Sequence, residues 1–310
     1  MKVVANTRLF IPIILFALVL GSGCGTAKSV YRLSTDAAKS IMPGGEEALL
    51  RKRVLVAPVI NQAGVNEETV TQITDTLQGL LMKDNLISAT LLKDFERGDL
   101  DTSSPKYGVV IDPELVKKAE EMGMDILITT TLNPFDVSTK KSGIWPFRKI
   151  KKEVIISMSM NTLDVINGTL ILAATETRKI KTDLEEPADQ ADTWEVDNEI
   201  LEKKVSSILK THSSAISDEL DDKPWTGKIR LTDNKTVIIN GGQDIGVTQG
   251  SVFEVFSKSE SIQSLSGKDY FFLGPKTGEI MAQEVMQKYT LAVPINNGKL
   301  EDGQLVRLKR

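Results

Sequence analysis

The sequence predicts an α+β protein, an α/β sandwich domain followed by a small carboxy-terminal β-barrel. Apolar β-branched runs alternate with amphipathic helical patterns between residues 51 and 222. From 225 to 310 the helical pattern ceases, and short strand-like runs follow one another between turns rich in glycine and asparagine. The 310 residues, 41% hydrophobic and 26% charged, hold enough apolar material for packed cores.

Within the first domain, Arg53 to Ile60 (RVLVAPVI) is a β-branched run suited to a strand buried on both faces. A helix follows, with Asn66 as cap, Glu67 and Glu68 in its first turn, and Val70, Ile73, Leu77, Leu80 and Leu81 at helical spacing. Leu86 to Leu92 is a second strand. Asp112 and Pro113 open a second helix, whose stripe is Leu115, Val116, Ala119 and Met122 and whose stop is Gly123. Asp125 to Leu132 is the third strand. Glu153 to Val165 and Thr169 to Ile180 form a hairpin across Asn167-Gly168. Glu195 to Leu220 closes the domain as a long helix, with Leu201, Val205, Ile208 and Ile216 inward. The expected order is β-α-β-α-β-β-β-α.

The second domain reads as strands at 228–231, 236–240, 251–256, 269–273, 279–285, 291–295 and 304–308. Turns are expected at Asp233-Asn234, Gly241-Gly242, Gly267-Lys268, Pro275 to Gly278 and Asn297-Gly298. Closing such strands on one another hides their edges, which favours a barrel.

Ahead of both domains, Lys2 and Arg8 precede the apolar run Leu9 to Leu20, and Gly21-Ser22-Gly23 precede Cys24, the one cysteine of the chain. The run is short for a bilayer span. This pattern resembles the lipobox of bacterial lipoproteins, with Gly21 where that family usually has a branched aliphatic residue. The resemblance implies a signal peptide over 1–23, cleavage by signal peptidase II before Cys24 and acylation of Cys24, palmitate included. Gly25 in second place then implies sorting to the outer membrane. Each buried methylene contributes about 0.8 kcal/mol, so several acyl chains hold such a protein firmly. Residues 24–50 read as a lipidated tether, and loss of the leader takes the formal charge from −4 to −6.

One cysteine and one histidine exclude thiolate or imidazole zinc sites, Cys-His nucleophilic pairs and internal disulfides. No G-x-S-x-G elbow, P-loop or dinucleotide fingerprint occurs, and the charge balance gives no global attraction to nucleic acid. His212 lies on the inward stripe of the last helix and reads as a packed or interfacial residue. The acidic cluster Asp183, Glu185, Glu186, Asp189, Asp192, Glu195, Asp197 and Glu199 reads as a solvated approach to a helix amino terminus. No enzyme activity, cofactor or metal is expected.

The stretch from 140 to 152, read as a loop between strands, is the candidate interaction surface. Lys140, Lys141, Arg148, Lys149, Lys151 and Lys152 surround Ile144-Trp145-Pro146-Phe147. Aromatic residues flanked by basic ones recur at protein interfaces and membrane surfaces. An equally weighted reading tucks Trp145 and Phe147 under their own domain.

Two family resemblances complete the reading. Val54 to Gln62 (VLVAPVINQ), Ala119 to Ile128 (AEEMGMDILI) and Leu163 to Gly168 (LDVING) resemble the α/β domain of the CsgG curli-secretion lipoproteins, of lipoprotein activators of penicillin-binding proteins, and of the TolB amino-terminal domain. Gly246 to Val255 (GVTQGSVFEV), with Ile239 to Gly242, Thr277 to Ile280 and Leu300 to Val306, resembles the carboxy-terminal domain of the flagellar protein FlgT. The resemblances imply domains at 51–222 and 225–310. They also imply a non-catalytic lipoprotein scaffold on the periplasmic side of the outer membrane, binding envelope proteins or further copies of itself. The alternative they imply is an activator of a peptidoglycan synthase.

Overall fold

The first domain's eight expected elements follow from the chain's own periodicities, its first strand is split in two, and one further strand arises from pairing alone. The computed structural model describes residues 49–92, 113–142, 144, 149–183, 198–232, 236–263 and 269–309. Cys24 and the leader lie outside these residues. The strands are β1 (Lys52–Val56), β2 (Ile60–Asn61), β3 (Ile87–Leu91), β4 (Ile126–Leu132), β5 (Asp136–Ser142), β6 (Lys149–Asp164) and β7 (Leu170–Asp183). The helices are α1 (Glu67–Leu81), α2 (Pro113–Glu121) and α3 (Asn198–Asp221).

Local chemistry sets the element boundaries. Asn66 Oδ1 accepts from Thr69 N at 2.8 Å and caps α1, and Gly123 follows α2 at φ 70°. Gly168 at φ 64° allows the β6–β7 turn, while Asp164 Oδ1 accepts from Asn167 N at 2.9 Å. The run expected as one strand from Arg53 to Ile60 is interrupted after Val56. Pro58, which has no N–H, lies in the break before β2 resumes against β4.

One mixed sheet results. β1 pairs in parallel with β3 and β4, and β4 runs antiparallel to β6. The long β6 carries β4 and β5 end to end along one edge and β7 along the other. Val54, Val56, Ile128, Ile156, Met158 and Met160 form one apolar face, packed with Val70, Ile73 and Leu77 of α1 and with Val205, Ile208 and Ile216 of α3. The opposite face buries Leu55, Leu127 and Leu163 with Leu115, Val116 and Ala119 of α2. Helices therefore cover both faces of the sheet.

The remaining strands are β8 (Gly227–Leu231), β9 (Val237–Ile239), β10 (Val252–Gln263), β11 (Asp269–Val285), β12 (Thr290–Pro294) and β13 (Leu305–Leu308). They close in the order β10-β11-β12-β9-β8-β13, with β13 returning to β10. Pro275 to Gly278 is not the expected turn. The segment lies inside β11, where the register with β10 shifts, and neither Pro275 nor Thr277 takes a place in the ladder. The two strands expected at 269–273 and 279–285 are thus one.

The barrel core includes Trp225, Ile229, Val237, Ile239, Phe253, Val255 and Ile280, with Trp225 edge-on to Phe253 at 6.3 Å between ring centroids. It also contains Leu50, which immediately precedes β1. Leu49 to Arg310 form one compact unit.

Candidate functional site

Residues 140–142 and 149–152 of the basic segment lie on a β-ladder rather than in the expected loop. Lys140 and Lys141 lie on β5, and Lys149, Lys151 and Lys152 lie on β6. Their register sets Lys140 opposite Lys151, Thr139 opposite Lys152 and Ser142 opposite Lys149. The pairing arises because β4 occupies only the Met158–Asp164 half of β6, which leaves the same edge of the other half to β5. Trp145, Phe147 and Arg148 lie outside the described residues, and Ile144, in the β5–β6 connection, is 86% exposed.

β7 adds to the same ribbon from the other edge. It sets Lys179 opposite Ile155, Lys181 opposite Glu153 and Asp183 opposite Lys151. Lys179 Nζ reaches the buried Glu153 Oε1 at 2.8 Å. The ribbon therefore brings lysine positions together on neighbouring strands. Of the acidic cluster, Asp183 ends β7 and Glu199 begins the first turn of α3, while 184–197 lie outside the described residues.

Further along the same face of β6 the side chains turn polar yet remain buried. Asn133 donates from Nδ2 to Ser157 Oγ at 3.2 Å and to Ser159 Oγ at 3.0 Å, and Ser159 lies 3.1 Å from the Thr175 hydroxyl. Asn133 is 1% exposed, and its Oδ1 has no partner among the described residues.

At the opposite end of β6, the sheet meets the barrel. The Arg53 guanidinium forks onto Asp244, with Nε at 2.7 Å from Oδ2 and Nη2 at 2.9 Å from Oδ1. Its remaining donors reach the carbonyls of Asn240 at 2.6 Å and Lys288 at 2.9 Å in the barrel, and of Gly123 at 3.3 Å in the sheet domain. Asp125 Oδ2 accepts from Arg53 N at 2.8 Å and from Trp225 Nε1 at 3.2 Å. Lys52 Nζ donates to Leu220 O at 2.6 Å, and burial draws its ammonium below the ordinary lysine range.

None of these joint residues stands out in the sequence. Lys52 and Arg53 read as a charged strand boundary, although both side chains are buried. The pairing of Arg53 with Asp244 spans 191 positions, and that of Asp125 with Trp225 spans 100. The one available signal is that an aspartate and a tryptophan border apolar runs that the fold buries.

His212 is 1% exposed, and neither ring nitrogen has a partner among the described residues. Burial lowers it to about 4, opposed by Glu176 and aided by Arg178, which keeps the imidazole neutral at pH 7. Among the described residues, no three His, Cys, Asp or Glu side chains gather to hold a metal ion, and no helix is long and apolar enough to cross a membrane.

No protein-family model and no curated protein sequence matches the chain. Solved structures are similar to it at low identity. The PelC dodecamer from Paraburkholderia phytofirmans is 12% identical over 54% of this chain and 92% of that one, with a TM-score of 0.30. Lipoprotein GNA1162 from Neisseria meningitidis is 12% identical over 56% of this chain and 99% of that one, at 0.30. TolB from Acinetobacter baumannii is 9% identical over 82% of this chain and 63% of that one, at 0.27.

Proposed function

We propose that the protein is a non-catalytic assembly component of the bacterial envelope, anchored through Cys24 to the periplasmic side of the outer membrane. In this reading its sheet domain is of the CsgG and TolB amino-terminal kind, and its barrel is of the FlgT carboxy-terminal kind. The observation that carries the proposal is the β5–β6–β7 ribbon. It groups Lys140, Lys141, Lys149, Lys151, Lys152, Lys179 and Lys181 on paired strands. About fifteen strand steps of roughly 3.3 Å separate the Lys149 end of β6 from its barrel end, a reach of about 50 Å. In this reading the lysine-bearing end of the ribbon meets an acidic protein surface, whether of an envelope partner or of the 183–199 segment of another copy.

The test combines sedimentation of the acylated chain with pull-down from envelope extracts, for the wild type and for a variant carrying Lys140→Glu, Lys149→Glu and Lys151→Glu. Assembly with itself or with secretion or flagellar components, lost in the variant and weakened by salt, supports the proposal. A monomer at every concentration that recovers no envelope protein overturns it. Recovery of a peptidoglycan synthase selects the activator reading instead. For the anchor, Cys24→Ser is expected to release the protein from membranes, and unchanged fractionation would refute lipid attachment.

A further inference from the structure

The joint between sheet and barrel contains a carboxyl group with an uneven set of partners. Asp125 Oδ2 takes both available donors, the backbone N–H of Arg53 from β1 and the indole N–H of Trp225 at the entry to the barrel. Oδ1, on the same buried side chain, has no hydrogen-bond partner among the described residues. Asp125 also lines a cavity of about 30 Å³ together with Lys52, Asp164, Leu220, Lys223 and Trp225. That is room for about one water.

A carboxyl so placed can take a proton on Oδ1 without giving up either bond at Oδ2, and its new O–H can donate into the cavity. Ionised, it leaves a buried oxygen that no hydrogen-bond donor among the described residues satisfies, so only what the cavity admits can solvate it. We propose that Asp125 is a proton-operated latch between the sheet and the barrel, closed when Oδ1 is protonated and loosened when the proton leaves.

The surrounding charges bear on this from every side. Burial pushes the Asp125 carboxyl up to about 7, against the lowering pull of the Arg53 N–H, the Arg53 charge and the Trp225 indole. Arg53 is already forked onto Asp244, and Lys52 is committed to the Leu220 carbonyl. Asp164 at the end of β6 adds repulsion to the ionised form of Asp125. Asp221 at the end of α3, Asp125 itself, Asp84 after α1 and Asp164 all favour the charged form of Lys52 against its burial, so Lys52 in turn attracts the ionised form of Asp125, and Lys223 flanks the cavity.

Opening the joint returns the carboxyl to water and to its ordinary value of 3.8. Between about pH 4 and 7 the closed joint therefore holds the proton and the open joint releases it. The opening constant then rises with pH by up to about tenfold per unit and levels off above 7. The joint is tighter in a mildly acidic compartment than in a neutral one.

Two hydrogens report on the latch directly, the Arg53 amide and the Trp225 indole N–H. Their exchange in the full mature chain, corrected for intrinsic base catalysis, is expected to show an opening constant that climbs about fiftyfold from pH 5 to 7. In Asp125→Asn, which keeps an acceptor but cannot ionise, the profile is expected to be flat. A flat wild-type profile, or an unchanged slope in the variant, overturns the proposal. Should Asp125→Asn not fold, the carbon-13 shift of the wild-type Asp125 carboxyl decides the matter. A midpoint near 7 supports the latch and one below 5 refutes it.

Discussion

Arg53 and Asp244 meet in a two-pronged ion pair that joins the first strand of the sheet to the 3-10 turn of the barrel, Gln243–Ile245. The guanidinium side chain is 9% exposed and the carboxylate 22%. Removing the cation leaves both the carboxylate and three carbonyls short of a donor. Arg53→Met is expected to cost about 3 kcal/mol in urea unfolding. Arg53→Lys is expected to recover only part of that, because an ammonium cannot reproduce the fork. A double-mutant cycle with Asp244→Ala measures the coupling.

Two glycines are expected to respond in opposite directions to the same change. A Cβ on Gly242 would lie 2.3 Å from the Met286 carbonyl oxygen and 2.6 Å from that of Gln287, both backbone atoms that cannot step aside alone. Gly242→Ala is expected to destabilise by about 2 kcal/mol. A Cβ on Gly79, within α1, meets nothing within 4 Å among the described residues. Gly79→Ala is expected to stabilise by about 0.5 to 1 kcal/mol through helix propensity. Thermal melts of the pair distinguish close backbone approach from helix propensity.

His212→Leu tests the cost of a buried imidazole without partners. Deleting two unsatisfied nitrogens at similar volume is expected to raise stability by about 1 kcal/mol at pH 7. The pH dependence has a definite sign. The folded histidine, held to about 4, binds fewer protons than the unfolded one with its ordinary 6.5, so wild-type stability rises with pH across that interval. Asp125 contributes the reverse slope between 3.8 and about 7. The two partly cancel in the wild type. His212→Leu should therefore gain stability on mild acidification, and an unchanged urea midpoint profile would contradict this assignment.

Asn133→Ala removes the donor that satisfies Ser157 and Ser159 on the covered face of β6. Both serines are buried, at 7% and 5% exposure, so their hydroxyls need another acceptor or donor. A loss of about 2 kcal/mol is expected, measured by chemical denaturation.

The parts of the fold that were legible in the sequence are those written in local periodicity. Val70, Ile73 and Leu77 announce α1, Asn66 caps it, and Asn167-Gly168 marks the hairpin. β5 carries no such mark, because Asp136 to Ser142 reads as polar and charged. It becomes a strand because β6 offers an unpaired stretch of edge beside it, a tertiary effect that overrides propensity. Pro275 similarly suggests a turn, but the irregular β10–β11 register accommodates a residue that cannot donate. The basic residues of the candidate site could be listed from the sequence, but their arrangement on rungs could not. The joint was the least visible, since Arg53, Asp125, Trp225 and Asp244 come together only through sheet order and barrel closure.

Leu50 is buried among barrel residues, and the next residue, Arg51, donates its backbone N–H to Ile245 O at 2.9 Å before the chain enters the sheet. The barrel thus borrows a stopper from a point some 175 residues upstream of its first strand. A gene fragment beginning at Trp225 would encode a vessel without its cork, and one ending at Asp222 would leave an oily residue dangling in water. The two halves should be poor candidates for separate expression, and supplying a peptide spanning 49–56 to the isolated barrel should improve its solubility.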